Sequence, residues 1–141
     1  MAIATDPTSD EPSEEEQLLP DADIEHLRHR GLKWSAALVG ALIDLVITDY
    51  PLPPGYDHAA ADLLLRLPGG WPDGVPDMFF LFPHAHIKAT GAWPQAAASF
   101  PMIGDRTWQQ WSRHFQNVWR PGVDNLATYL AIVDEALASA V

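Results

Sequence analysis

The 141-residue chain has no cysteine. This excludes disulfides, zinc-thiolate sites and any chemistry that needs a thiolate nucleophile. Basic residues are also scarce, with 8 Lys and Arg against 19 Asp and Glu, a formal net charge of −11. A surface so charged repels nucleic-acid phosphates and favours basic partner surfaces instead. No run approaches the ~18 uninterrupted apolar residues of a membrane span, because even the stretch from Trp34 to Tyr50 is broken by Asp44 and Asp49. Residues 1–23 lack the basic and apolar regions of a secretory signal, so the sequence predicts a cytoplasmic protein without a membrane contact. Gly69-Gly70 has neither the spacing nor the lysine of a phosphate loop, and no cofactor is expected.

What the chain does contain is one domain's worth of residues with 13 prolines and 9 glycines as punctuation. Residues 1–21 combine Asp6, Asp10, Glu11, Glu14, Glu15 and Glu16 with Pro7 and Pro12. Little there is apolar enough to offset ordering entropy, so this stretch reads as a disordered acidic tail and 22–141 as the domain. Asp21 or Asp23 can cap a short helix running to Arg30, with Ile24 and Leu27 on one face and Gly31 as its stop. The period then changes. Leu32 to Val39 and Leu42 to Tyr50 read as a hairpin around Gly40-Ala41, with a third strand over Ala61 to Leu67 and a fourth over Met78 to Phe82. Residues 83–107 are broken by Pro83, Gly91, Pro94, Pro101 and Gly104, and a loop of that length is more often functional than idle. Val123, Leu126, Leu130, Val133 and Leu137 fall at helical spacing after Pro121 and predict a C-terminal helix beginning at Val123. The class is α+β: an N-terminal helix, a four-stranded antiparallel meander, an irregular segment and a packing helix.

Five stretches narrow that class: Leu52-Pro53-Pro54-Gly55-Tyr56, Asp62-Leu63-Leu64-Leu65-Arg66-Leu67-Pro68, Pro76-Asp77-Met78-Phe79-Phe80, Trp108-Gln109-Gln110-Trp111-Ser112-Arg113-His114 and Trp119-Arg120-Pro121-Gly122-Val123-Asp124. As a set, spanning roughly residues 24–138, they resemble the prokaryotic family E of ubiquitin-conjugating-enzyme-like (UBC-like) proteins. The resemblance implies a UBC-like fold, acyl transfer of a ubiquitin-like protein, and an activating enzyme as the second partner. In conjugating enzymes a cysteine lies about eight residues before the tryptophan that Trp119 resembles. Here that place falls on Trp111, with Ser112 beside it. The histidine-proline-asparagine motif of those enzymes has only Pro83-His84-Ala85-His86 as a loose counterpart, without the asparagine.

Serine can carry an acyl group as an oxyester if a base takes its proton. His114, two residues on, faces the same side as Ser112 only if the segment is extended. Arg113 can hold a C-terminal tail or stabilise an oxyanion, or else pair with Asp105 or Asp124. His84 and His86 are the other candidate bases. They also read as two metal ligands, but zinc needs more and only His114 remains, so no metal is expected. Trp108, Trp111 and Trp119 either wall a tail channel or, as large apolar anchors, build the core. Two functions follow. One is a conjugating-enzyme-like acyl acceptor using Ser112, assisted by His114, Arg113, His84 and His86. The other is a silent UBC-like module that binds the ubiquitin-like protein or the activating enzyme.

Overall fold

A computed structural model describes residues 13–115 and 118–141. Strand β1 (Lys33–Val39) turns through Gly40, whose φ of 62° is open to glycine at little cost, into β2 (Leu42–Pro51). β3 (Ala60–Leu67) and β4 (Met78–Phe82) follow as expected. The irregular half then adds a small hairpin, β5 (Met102–Ile103) with β6 (Arg106–Thr107), and a further strand, β7 (Gln109–Ser112). The main sheet therefore has five antiparallel strands in the order β1-β2-β3-β4-β7 rather than four.

β7 was hidden by its composition. Gln109 and Trp111 point into the protein while Gln110 and Ser112 are half-buried, a period-2 pattern that an inward glutamine disguises. Gln109 is nevertheless satisfied: its amide accepts from the Ala85 N–H at 2.8 Å and donates to the Ala85 and Ala97 carbonyls at 3.1 and 3.0 Å. A buried polar side chain so bonded costs little, and it ties the long loop to the sheet. The outer edge of β7 is covered by that same loop, with Trp108, Gln110 and Ser112 N–H groups donating to Pro101, Ser99 and Ala96.

One face of the sheet meets helix α2 (Leu126–Ser139), whose Leu126, Tyr129, Leu130, Val133 and Leu137 are fully buried. Helix α1 (Asp21–His29) adds Ile24 and Leu27 to the same core. The opposite face carries a smaller cluster of Leu64, Phe80 and Trp108.

Three expectations are corrected. Helix α2 begins at Leu126, where Asn125 Oδ1 accepts the Ala127 N–H at 3.1 Å; Val123 lies before it and is 62% exposed. The hydrophobic period ran one turn too far because Gly122 and Val123 sit in a turn closed on the Arg120 carbonyl. Neither Asp21 nor Asp23 caps α1, whose N-cap is Pro20. Asp23 instead reaches across the fold to accept from Trp71 Nε1 at 2.8 Å and from the Leu126 N–H at 3.1 Å. Finally, residues 13–21 do not form a disordered tail. Ser13 and Glu16 bond reciprocally, Leu19 is buried, and Glu15 Oε2 accepts the Ala36 N–H of edge strand β1 at 2.8 Å. An edge N–H facing outward needs a partner, and a carboxylate supplies it. The rest of the predicted tail, residues 1–12, lies outside the described residues.

Ahead of α2, Asp124 accepts the Arg120 N–H at 2.7 Å and a guanidinium N–H at 2.9 Å. The Arg120 side chain, against a smaller opposing effect of burial, holds the Asp124 carboxyl below the usual carboxylate range. A depressed folded-state pKa stabilises the protein above the unfolded value and is lost as pH falls through the folded one. Unfolding midpoints measured from pH 6 to 2.5 should therefore fall less steeply for Asp124→Asn than for the unsubstituted chain at the acid end.

Candidate functional site

β7 ends where the candidate residues begin. Ser112 is paired with Met78 at the start of β4, and its Oγ accepts from Gln110 Nε2 at 3.3 Å on the same side of the strand. Among the described residues no imidazole or carboxylate bonds that hydroxyl. Its N–H donates to Ala96, a non-glycine residue held at φ 55°. That left-handed conformation costs an alanine about 1–2 kcal/mol, and such strain is found where the surroundings over-determine it.

Arg113 continues the pairing past the strand, its N–H donating to the Asp77 carbonyl at 2.7 Å. Nη1 donates to the Gln95 and Ser112 carbonyls at 3.0 and 2.7 Å, and the guanidinium lies 5.2 Å over the Trp111 ring. Burial pushes its pKa down, with Tyr56 opposing. Neither Asp105 nor Asp124 pairs with it; Asp124 belongs to Arg120. His114 is exposed, and among the described residues nothing bonds its ring. Ser112, Arg113 and His114 line one groove of about 650 Å³, facing Ile132, Glu135 and Ser139 of α2.

His84 and His86 are not part of it. β4 runs from Met78, opposite Ser112, to Phe82, opposite Asp62 of β3; that is about 14 Å of strand, and both histidines lie beyond its far end. His84 Nε2–H donates to the Thr107 carbonyl at 2.8 Å and its ring stacks on Phe100 at 4.7 Å. His86 stacks on Trp93 at 3.6 Å and donates through Nδ1 to Asp57 at 3.2 Å, while its N–H reaches the other Asp57 oxygen at 2.8 Å. Burial pushes the Asp57 carboxyl up, but these bonds and nearby His58 outweigh it and hold it below the usual range. The expectation that His84 or His86 serves Ser112 as a base is thus corrected: the strand pairing sends them to the other end of the sheet. Among the described residues no three His, Asp or Glu gather as a metal site.

The tryptophans are core. Trp111 stacks on Phe79 at 5.3 Å and meets Tyr56 edge-on, and Trp119 packs on Trp71 and Tyr129 while its Nε1 donates to the Pro72 carbonyl at 2.8 Å. Trp108 belongs to the cluster on the opposite face. None of the three lines the groove; Trp111, fully buried, lies beneath the Arg113 guanidinium.

An antiparallel sheet packed with two helices is consistent with an E2-like fold, and comparison with known families gives the family. The sequence model of prokaryotic E2 family E matches residues 19–140. The chain belongs to this family. Neither a curated protein nor a solved structure matches it. As a member of prokaryotic E2 family E it is a conjugating-enzyme-like protein, and membership implies a ubiquitin-like protein and an activating enzyme as partners in general. No helix among the described residues is long and apolar enough to cross a membrane.

Sequence reasoning missed Gln110, the only side chain that bonds Ser112 Oγ among the described residues, and the α2 wall. Glu135 and Ser139 are spaced i, i+4 and so share a helix face, a signal present in the sequence. Nothing local said that this face would meet residues 112–114.

Proposed function

We propose that this family E protein holds the C-terminal tail of a ubiquitin-like protein non-covalently in the groove formed by residues 112–114 and α2. The supporting observation is the state of the Ser112 hydroxyl, which accepts from an amide and has no base within bonding distance among the described residues. A carboxamide cannot take a proton, and an unassisted serine is a weak nucleophile. His114, past the end of β7, makes no hydrogen bond to that hydroxyl among the described residues. A cytoplasmic setting, with ATP for the activating enzyme, goes with this reading.

A second reading has its own support. Ser112 is half-buried at the groove's edge rather than sealed in the core. In that reading its Oγ attacks the carbonyl of an activating-enzyme thioester, the thiolate leaves, and the hydroxyl proton passes to a base brought by the partner.

Intact-mass analysis of the chain mixed with its activating enzyme, ATP and the ubiquitin-like protein separates the two. The first reading expects complex formation by size-exclusion chromatography and no mass adduct. The second expects an adduct that survives thiol reductant, is cleaved by hydroxylamine and disappears in Ser112→Ala. Ser112→Cys should then give a reductant-labile adduct at the same position. An adduct that persists in Ser112→Ala, or no association at all, would sink both.

A further inference from the structure

Arg28, Arg30, Arg66, Arg106 and Arg120 each reach a carboxylate, at 2.7 to 3.8 Å. Arg113 alone among the arginines does not, counting the described residues. With a net charge of −11, the chain does not leave it so for want of carboxylates. Nor is the side chain loose. Two carbonyls, of Gln95 and Ser112, fix Nη1, and the Trp111 ring lies beneath the guanidinium. Among the described residues nothing accepts from Nε or Nη2, the other edge of the plane. A guanidinium edge of this kind matches a carboxylate with two parallel hydrogen bonds, and here the ordering entropy has been spent by the fold.

The groove around it has room for a chain. Ala96, Ala136, Ser139 and Ala140 contribute to its lining, so the backbone of an extended, glycine-rich segment can approach the walls closely. Its charge is divided. Arg113 stands on the strand side and Glu135 on the α2 side, so an anionic group is drawn to one wall and backbone N–H donors to the other.

We propose that Arg113 anchors a free C-terminal carboxylate, so that the groove selects an unconjugated glycine-rich tail over one whose terminus is already an amide or ester. This rests on the reading of the groove as a tail site and adds which chemical form the site takes. Conjugation converts the terminal carboxylate to a neutral acyl group. The bidentate charge-assisted pair is lost with it, and the tail is released.

The test uses the full chain labelled with ¹⁵N and two eight-residue glycine-rich peptides ending in Gly-Gly, one with a free carboxylate and one with a terminal amide. The carboxylate peptide should shift the Arg113 Nε–H resonance together with the backbone amides of residues 112–114, and should bind at least ~10-fold more tightly than the amide peptide, as expected for a hydrogen bond to a charged group. Arg113→Gln should erase that difference. Glu135→Gln removes the same backbone contact from both peptides but repulsion from the carboxylate peptide alone, so it should widen the ratio between the two affinities by about 2- to 5-fold. This variant keeps the question answerable should Arg113→Gln fail to fold. If both peptides shift the groove amides equally, the tail site stands and the Arg113 anchor is wrong. If neither shifts them, the anchor and the tail site both fall.

Discussion

Leu130→Ala should lower the free energy of unfolding by about 2–5 kcal/mol, the usual range for removing most of a buried leucine side chain. Leu130 is 0% exposed and lies midway along α2, in the cluster that includes Leu63, Leu65, Phe79 and Trp111. Its neighbours limit relaxation. Tyr129 is packed edge-on against Phe115, Trp71 and Trp119, and Phe79 is stacked on Trp111. Rings held on several sides cannot slide into the space left, so the cavity cost adds to the lost transfer energy. Urea denaturation with an unchanged m-value is the measurement. Val123→Ala supplies the control: that side chain is 62% exposed before the helix, and its loss should stay within about 0.5 kcal/mol. A Leu130→Ala cost as small as that of Val123→Ala would mean that α2 does not close the core.

Asp23→Ala should cost about 2–4 kcal/mol, although no ion pair is broken. The carboxylate is 0% exposed and joins three parts of the fold: α1, which carries it; the Trp71 loop, through Nε1 at 2.8 Å; and the first turn of α2, through the Leu126 N–H at 3.1 Å. The first N–H groups of a helix have no partner within it. Removing Asp23 leaves that donor and the indole N–H unsatisfied in a buried place, at roughly 1–3 kcal/mol each. Asp23→Asn should lose about half as much, since its single amide oxygen still accepts from one of them. The pH dependence has the opposite sign to that of Asp124. Burial pushes the Asp23 carboxyl up, against the pull of Trp71, Leu126 and His26. A raised folded-state pKa means that the folded chain holds the proton more tightly than the unfolded one. The Asp23 contribution is greatest at low pH and falls as pH rises through the window above the unperturbed value of 3.8. Asp23→Asn, which cannot ionise, should remove that decline; denaturation midpoints that fall equally between pH 3.5 and 6 in both chains would show that Asp23 does not titrate with folding.

The sequence by itself determines most of the frame. Alternation and proline or glycine breaks are sufficient for β1 to β4, because each is a local pattern that a half-buried strand requires. Helical spacing is sufficient for α2 from Leu126 onward. The absence of cysteine rules out a thiolate carrier before any coordinates are considered. Five quoted motifs are enough to point at the family that matches residues 19–140.

What the tertiary structure decides is who meets whom. β7 is invisible locally because Gln109 is polar, and becomes a core strand only when Ala85 and Ala97 arrive from the long loop to satisfy its amide. Asp23 looks like a cap for its own helix and instead serves one 103 residues away. His84 and His86 share a sequence neighbourhood with the candidate site, yet antiparallel pairing of β4 with β7 carries them to the opposite end of the sheet. Arg113 could be read as one more surface ion pair until the fold shows which carboxylates are already taken. Periodicity reports the environment of a residue along its own element, whereas bonds between distant elements depend on chain reversals and register, whose consequences no short window of sequence contains.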